Sequence, residues 1–421
     1  MYLDYFDKFL NQEPYLHIDK KEWTHIKETF DKEDVRESLA KVAMTYPMPT
    51  MVISEDDCRR DFNKLKGTWV YDILKEGEWF GRSEAGYEWP LTYKNGELGT
   101  NQPQWYFARN NIGNKASNHF QQQNRWSVES SGYPGPKRTW ETESFMISLM
   151  GAAYSLKLDK IDRSILRTMI GLRKYICSQF KPNVAKAMYD LFRARNIMDF
   201  SMGWGDRLAG FYASQNTELY VGVDPRKENH PIYREQSDYY DSLLTMFETP
   251  KKAYFYREAA EDFYYEGYED TFDLIFTSPP YFNIERYGND DNQSWVRYGK
   301  DIDSWNTQFL HKALDNMLPT LKSGGKLCVN ISDVNASSGA KRKGTTAKGW
   351  QKICDPMNEF IDEYGDMEYK GCIGMEMARR PNSGGAGTAK DTKQFKESTL
   401  DLVEKTKDIR FCEPIWIWEK K

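Results

Sequence analysis

Histidine is scarce in this chain and cysteine is thinly spread. There are 5 His in 421 residues, none at ligand spacing from a cysteine, so no metal site is expected. The 6 Cys, at positions 58, 177, 328, 354, 372 and 412, form no CxxC pair, which leads us to expect reduced thiols in a cytoplasmic protein. No run of about 18 or more apolar residues occurs, so no membrane-spanning helix is expected. Residues 1–13 lack a basic segment followed by an apolar one, so no secretory leader is expected either. Internal repeats and low-complexity tracts are missing. So is any excess of positive charge: the formal net charge is −5, and contact with nucleic acid would have to rely on local basic patches.

What is present is a chain long enough for two or three domains, with 39% hydrophobic and 15% aromatic residues to fill their cores. Its most informative stretch is Phe276-Thr277-Ser278-Pro279-Pro280-Tyr281. A short apolar run from Phe272 reads as a buried strand, and two prolines then stop the ladder and fix a rigid, extended turn. A serine hydroxyl, a backbone carbonyl and an aromatic face meet at one strand end. That combination suits a flat ring carrying an amine, because the face stacks while the acceptors hold the NH2 group.

A second pattern lies upstream. In the segment Asn196–Arg207 a short apolar strand leads into a glycine-containing turn, Ser201-Met202-Gly203-Trp204-Gly205-Asp206, and a helix is predicted from Arg207 to Ser214. Strand, glycine turn and helix N-terminus make a nucleotide-binding element, with glycines that let a ligand approach the backbone. About 20 residues on, the strand Leu219–Asp224 ends in an acid, Asp224, placed to accept from both hydroxyls of a ribose. Ala259–Phe263 reads as a third strand end, with Asp262 placed for an adenine amino group.

The glycine turn at 199–207, Asp224 and the Thr-Ser-Pro-Pro-Tyr at 277–281 resemble the class I S-adenosylmethionine-dependent methyltransferases. More narrowly, they resemble the DNA methyltransferases that act on exocyclic amines, whose catalytic motif is (Ser/Thr/Asp/Asn)-Pro-Pro-(Tyr/Phe/Trp). The likeness covers about residues 178–421. Phe180-Lys181-Pro182 resembles the motif that precedes the glycine turn in that group, and Lys322–Ile331 the turn and strand after the catalytic motif. The glycine turn departs from the usual pattern at Phe200, Ser201 and Asp206. The resemblance implies S-adenosylmethionine as cofactor, held by Phe180, Asp199, Ser201, Gly203, Gly205, Asp206, Asp224 and Asp262. It implies catalysis by Ser278, Pro279, Pro280 and Tyr281 on a DNA base flipped out of the helix. Ser-Pro-Pro-Tyr goes more often with cytosine N4 than with adenine N6. A serine hydroxyl both donates and accepts, so it would serve the amine and the adjacent cytosine N3 together. RNA bases, protein glutamine, or a non-catalytic nucleic-acid-binding role remain as alternatives on the same fold.

The expected fold is α/β: a Rossmann-like, mostly parallel sheet with an antiparallel C-terminal edge hairpin, formed by Met367–Met375 and Phe411–Trp418. It is preceded by an α-rich, irregular N-terminal region. The domain cut is placed at residue 150, giving 1–150 as an accessory, target-recognition region and 151–421 as the methyltransferase domain. Amides, arginines and aromatics at 101–126, among them Arg109 and Arg125, suit base edges and stacking. Two basic loops, 337–352 and 379–396, carry five basic residues each. From them Lys341, Arg342, Lys343, Arg379 and Arg380 are candidate DNA contacts. Arg286 and Arg297 are further candidates, in a loop placed to cover a flipped base. The recognition sequence and any partner nuclease are not legible in the chain.

Overall fold

A computed structural model describes residues 1–81, 87–89, 91, 104–130, 134–335, 349–377 and 410–421. They form two compact units: residues 1–52 with 122–178, and residues 53–121 with 179–421. The expected cut at 150 is therefore replaced by a discontinuous one. The reason is strand pairing: Trp105–Phe107 lies in parallel register beside Met367–Glu376, which draws the preceding segment into the sheet.

The first unit is built mainly of helices. Lys20–Thr29 starts where the Asp19 carboxylate accepts from the Glu22 amide, and Arg163–Arg173 where Asp162 accepts from Ile165. Lys32–Met44, Pro136–Glu141 and Glu143–Ser155 belong to the same unit, and Trp23, Leu39, Met150 and Met169 lie in its core.

The second unit is organised on a sheet of ten strands. In chain order they are β1 (Leu74–Glu76), β2 (Trp79–Phe80), β3 (Trp105–Phe107), β4 (Asn196–Asp199), β5 (Leu219–Val223), β6 (Lys252–Tyr256), β7 (Phe272–Thr277), β8 (Leu321–Asn330), β9 (Met367–Glu376) and β10 (Arg410–Lys420). The spatial order is β1-β3-β9-β10-β8-β7-β4-β5-β6, with β2 beside β10. From β8 to β6 the neighbours run parallel, while β10 is antiparallel to both β8 and β9. This is a Rossmann-like sheet, mostly parallel, with its last strand reversed. The antiparallel hairpin is present, but β3 and β1 extend the sheet beyond it.

The central parallel strands β4, β5 and β7 are short and apolar because helices cover both faces. Phe272, Leu274, Ile275 and Phe276 are all fully buried, and side chains of β7 divide between two core clusters on opposite faces of the sheet. Helix Pro182–Leu191 starts with proline at its first turn, where the missing N–H has no helical partner to lose. The chain order reverses direction between β4 and β7, so the crevice outside their carboxyl ends is the topological switch point of the sheet. Among the described residues, no helix is long and apolar enough to cross a membrane, and no group of three or more His, Cys, Asp and Glu is placed to hold a metal ion.

Candidate active site

The glycine turn is held by an ion pair inside the protein. Asp199, at the end of β4, accepts from Arg207 Nε at 2.7 Å and Nη2 at 3.1 Å, and from the Tyr220 hydroxyl at 2.6 Å. Its Oδ1 also takes the Ser201 amide at 3.2 Å. Arg207 donates further to the Ser201 carbonyl, and its guanidinium lies 5.0 Å from the centre of the Phe180 ring. Burial disfavours the charge on Arg207, but Asp199 beside it outweighs this and holds the guanidinium above its usual pKa. Asp199, Ser201 and Phe180 thus surround Arg207 and support the turn from beneath. Asp206 opens the helix Asp206–Ala213 and accepts from Gln179 Nε2 at 2.8 Å.

The two glycines do different work. Both are left-handed, with φ of +57° at Gly203 and +68° at Gly205. A methyl group added at Gly205 would lie 2.5 Å from Gln236 Oε1, so that glycine permits packing. One added at Gly203 would meet only the Ser201 carbonyl at 3.9 Å, so the backbone there faces open space. The Gly203 carbonyl is pinned from behind by Asn229 Nδ2 at 2.8 Å and by the Tyr233 hydroxyl at 2.6 Å. Gln236 Nε2 donates to the Trp204 carbonyl at 3.4 Å. These three residues were not foreseen from the sequence. Their signal was there, as polar residues at positions 229, 233 and 236, one face of the helix Asn229–Ser242.

Asp224 follows β5 and reaches the same turn. Its Oδ2 accepts from the Gly203 amide at 2.9 Å and its Oδ1 from the Arg226 amide at 2.9 Å. Burial raises the Asp224 carboxyl above the usual carboxylate range, against the opposing pull of those two amides and of nearby His230 and Arg226. Asp262 is not the tip of the third strand. β6 stops at Tyr256, and Asp262 sits in a later turn with its carboxylate exposed and paired to Arg297 at 2.5 Å. The buried acid is its neighbour Glu261, 2.9 Å from the same Arg297 nitrogen, and its carboxyl is raised by burial. Arg297 is therefore committed to two carboxylates and to the Asp291 carbonyl at 2.7 Å, rather than presented for a phosphate. A cleft of about 330 Å³ opens beyond β5 and β6, lined by Pro225, Lys227, Arg257, Asp290, Asn292 and Arg297 among others.

The Ser278-Pro279-Pro280-Tyr281 turn sits at the neighbouring strand end. Thr277 closes β7 and is fully buried, opposite Val329 of β8 in register. Ser278 Oγ donates to Asn330 Oδ1 at 3.4 Å. The contact is long for a hydroxyl bond, and it directs the Ser278 proton toward Asn330. Pro280 O accepts from Phe282 N at 3.1 Å, and Phe282 is left-handed with φ of +50°. Such a conformation costs a bulky residue about 1–2 kcal/mol. The buried Phe282 ring, packed edge-on against Trp305 at 6.2 Å, holds it there.

The following loop is tied to itself. Asn283 Nδ2 donates to the Gly299 carbonyl at 2.8 Å, Trp295 Nε1 to the Gly288 carbonyl at 2.7 Å, and Arg286 stacks 4.5 Å over Trp295. Tyr287 lies 5.6 Å from Trp204 of the glycine turn, so the loop after the catalytic motif touches the turn before it. Lys341, Arg342, Lys343, Arg379 and Arg380 lie outside the described residues. The stretch around 119–126 is not a loop: it belongs to the helix Asn114–Trp126. Its polar groups are taken up internally. His119 Nδ1 faces the Ile53 carbonyl at 2.9 Å, Gln122 pairs with both backbone groups of Met51 at 2.9 Å, and Arg125 donates to the Cys177 carbonyl at 2.9 Å.

No protein-family model matches the sequence, and no curated protein does. Solved structures with a similar chain path include a SAM dependent methyltransferase from Archaeoglobus fulgidus, at 10% identity over 61% of this chain and 99% of that one, with a TM-score of 0.32. TehB from Haemophilus influenzae aligns at 11% identity over 56% of this chain and 62% of that one, with a TM-score of 0.32. TrmN from Thermus thermophilus aligns at 13% identity over 57% and 49%, with a TM-score of 0.29. At such values the likeness carries no argument of its own, and the fold assignment rests on the order and direction of the strands.

Proposed function

We propose that this protein transfers a methyl group from S-adenosylmethionine to the exocyclic amine of a DNA base, with N4 of cytosine favoured over N6 of adenine by the likeness of its Ser-Pro-Pro-Tyr motif alone. The observation that carries the reading is the pairing of two strand ends at the switch point. The open backbone of Gly203 beside the Asp224 carboxylate stands next to the rigid Ser278-Pro279-Pro280-Tyr281 turn.

The donor set fits the cofactor. Gly203 offers a backbone that a ligand can approach, Asp224 keeps lone pairs for ribose hydroxyls, and the cleft beyond Pro225 has room for a purine. When bound there, S-adenosylmethionine supplies an electrophilic methyl on sulfonium. The residues of this chain then have one main task, to hold an amine lone pair in line with it. Ser278 Oγ and the Pro279 carbonyl accept from the two amine hydrogens and favour a more pyramidal nitrogen. Tyr281 stacks on the base. No strong general base is required, because the amine proton is acidic once the nitrogen is cationic. A base in duplex DNA has to be flipped to reach such a strand end. Arg109 is exposed and suits DNA contact, as do the basic loops at 337–352 and 379–396.

The test is a calorimetric titration with S-adenosylmethionine, followed by transfer of a tritiated methyl group to separate DNA, RNA and protein pools. Label in DNA supports the reading. Label confined to RNA or protein replaces the substrate, and absence of cofactor binding removes the reading.

A further inference from the structure

The orientation of one buried amide decides what the catalytic serine is able to do. Asn330 ends β8, is 1% exposed, and stands beside the motif because β7 and β8 run in parallel register with Thr277 opposite Val329. Its Nδ2 donates to the Pro414 carbonyl at 3.0 Å on the antiparallel neighbour β10. Turning the amide over would set its oxygen against that carbonyl, two acceptors face to face, inside the core. The Pro414 contact therefore fixes the amide, and Asn330 Oδ1 has to face Ser278, 3.4 Å from its Oγ. An amide oxygen only accepts, so Ser278 must donate. A serine hydroxyl has one proton and two lone pairs. With the proton committed to Asn330, what remains toward the substrate is an acceptor.

We propose that Asn330 is a positioning residue that makes Ser278 an obligate acceptor for the substrate amine, giving the serine the hydrogen-bonding character of an aspartate at the same position. The inference rests on the amine-methylation reading above and deepens it. It also has a consequence for substrate class. A ring nitrogen next to the amine receives no hydrogen from Ser278, so any choice between cytosine and adenine arises from ring shape and from other donors.

The experiment is a double-mutant cycle in single-turnover methyl transfer to plasmid DNA, using Asn330→Leu in the wild-type background and in the Ser278→Ala background. Loss of one neutral hydrogen bond corresponds to a rate loss of about tenfold. In the wild-type background Asn330→Leu should lower the single-turnover rate by about that factor, leaving S-adenosylmethionine affinity and the KM for DNA within about twofold. In the Ser278→Ala background the same change should alter the rate by less than about twofold, since there is no hydroxyl left to orient. If Asn330→Leu fails to fold, Asn330→Ala takes its place with the same expected pattern. An equal loss in both backgrounds, or no loss in the wild-type background, overturns the proposal. Wild-type protein that labels DNA while Asn330→Leu keeps full rate removes this inference alone. Wild-type protein that binds the cofactor but labels no pool removes the methylation reading and the inference together.

Discussion

The ends of β4 and β5 and the helix Asn114–Trp126 are both dense in polar side chains. At the strand ends, Asp224 accepts one backbone amide on each oxygen and faces a glycine beside which there is open space. In the helix, each of His119, Gln122 and Arg125 meets a backbone carbonyl of the chain itself. A composition rich in amides and arginine therefore describes two unlike things. One is a set of groups with bonding capacity left over toward a crevice. The other is a set of struts that satisfy loop carbonyls, a task every buried carbonyl imposes. Residue type does not separate the two; the direction of the hydrogen bonds does.

The comparison can be broken most forcefully at the support of the glycine turn. Arg207→Met leaves the fully buried Asp199 without its cation, and such a loss costs about 3–5 kcal/mol of stability. Urea denaturation should show it; an unchanged midpoint would mean the turn is held by something other than this pair. Asp224→Ala should weaken S-adenosylmethionine binding by about 2–3 kcal/mol, because a charged acceptor is removed from the ligand side, and it also leaves the Gly203 and Arg226 amides without their acceptor. Calorimetry giving wild-type affinity would take Asp224 out of the site. Tyr281→Ala should lower turnover by roughly 100-fold, at the upper end of what base stacking contributes, and spare cofactor binding. Methylation at the wild-type rate would displace the centre of the proposed site.

The pH dependence sharpens the same contrast. Because burial raises the Asp224 carboxyl, the protonated acid favours the folded state. That contribution is complete below the ordinary carboxylate pKa and is lost as the pH rises through the higher folded value. Wild-type protein should lose stability over that window, and Asp224→Ala should not. Cofactor affinity should move in the opposite sense, falling as the pH drops and Asp224 takes up its proton. The smallest effects are expected at the two arginines that the sequence treats alike. Arg109 is exposed, and Arg109→Ala should weaken DNA binding modestly. Arg125 donates to the Cys177 carbonyl, so Arg125→Ala should cost about 1 kcal/mol of stability and leave gel-shift midpoints where they were.

The sheet was legible because its strands are short apolar runs closed by glycine, proline or acid. Asn196–Asp199, Leu219–Val223 and Phe272–Thr277 all fall where the pattern put them. The Pro-Pro turn and the glycine turn were legible as turns for the same reason, since both break a strand in a way few residue types allow. Asp262 misled because an acid after apolar residues looks like a strand tip, whereas β6 had ended at Tyr256 and Asp262 found Arg297 instead. The helix at 114–126 was missed because its buried face is polar, with Gln121 and Gln122 where a hydrophobic period was sought. Arg207 and Asn330 escaped notice because their roles depend on partners eight and fifty-two positions away, Asp199 and Ser278. The boundary at 150 failed because nothing in residues 53–121 announces that β3 pairs with a strand more than 250 residues later.

The most direct test of the central claim is to incubate duplex DNA with the protein and tritiated S-adenosylmethionine, digest it to nucleosides and separate them by chromatography. The account predicts label on an exocyclic nitrogen, eluting as N4-methylcytosine. Label eluting as N6-methyladenine would reverse the choice of base and leave the enzyme class standing. Label on a ring carbon, or DNA left unlabelled while the protein binds its cofactor, would contradict the claim that Ser278-Pro279-Pro280-Tyr281 holds the amine of a DNA base.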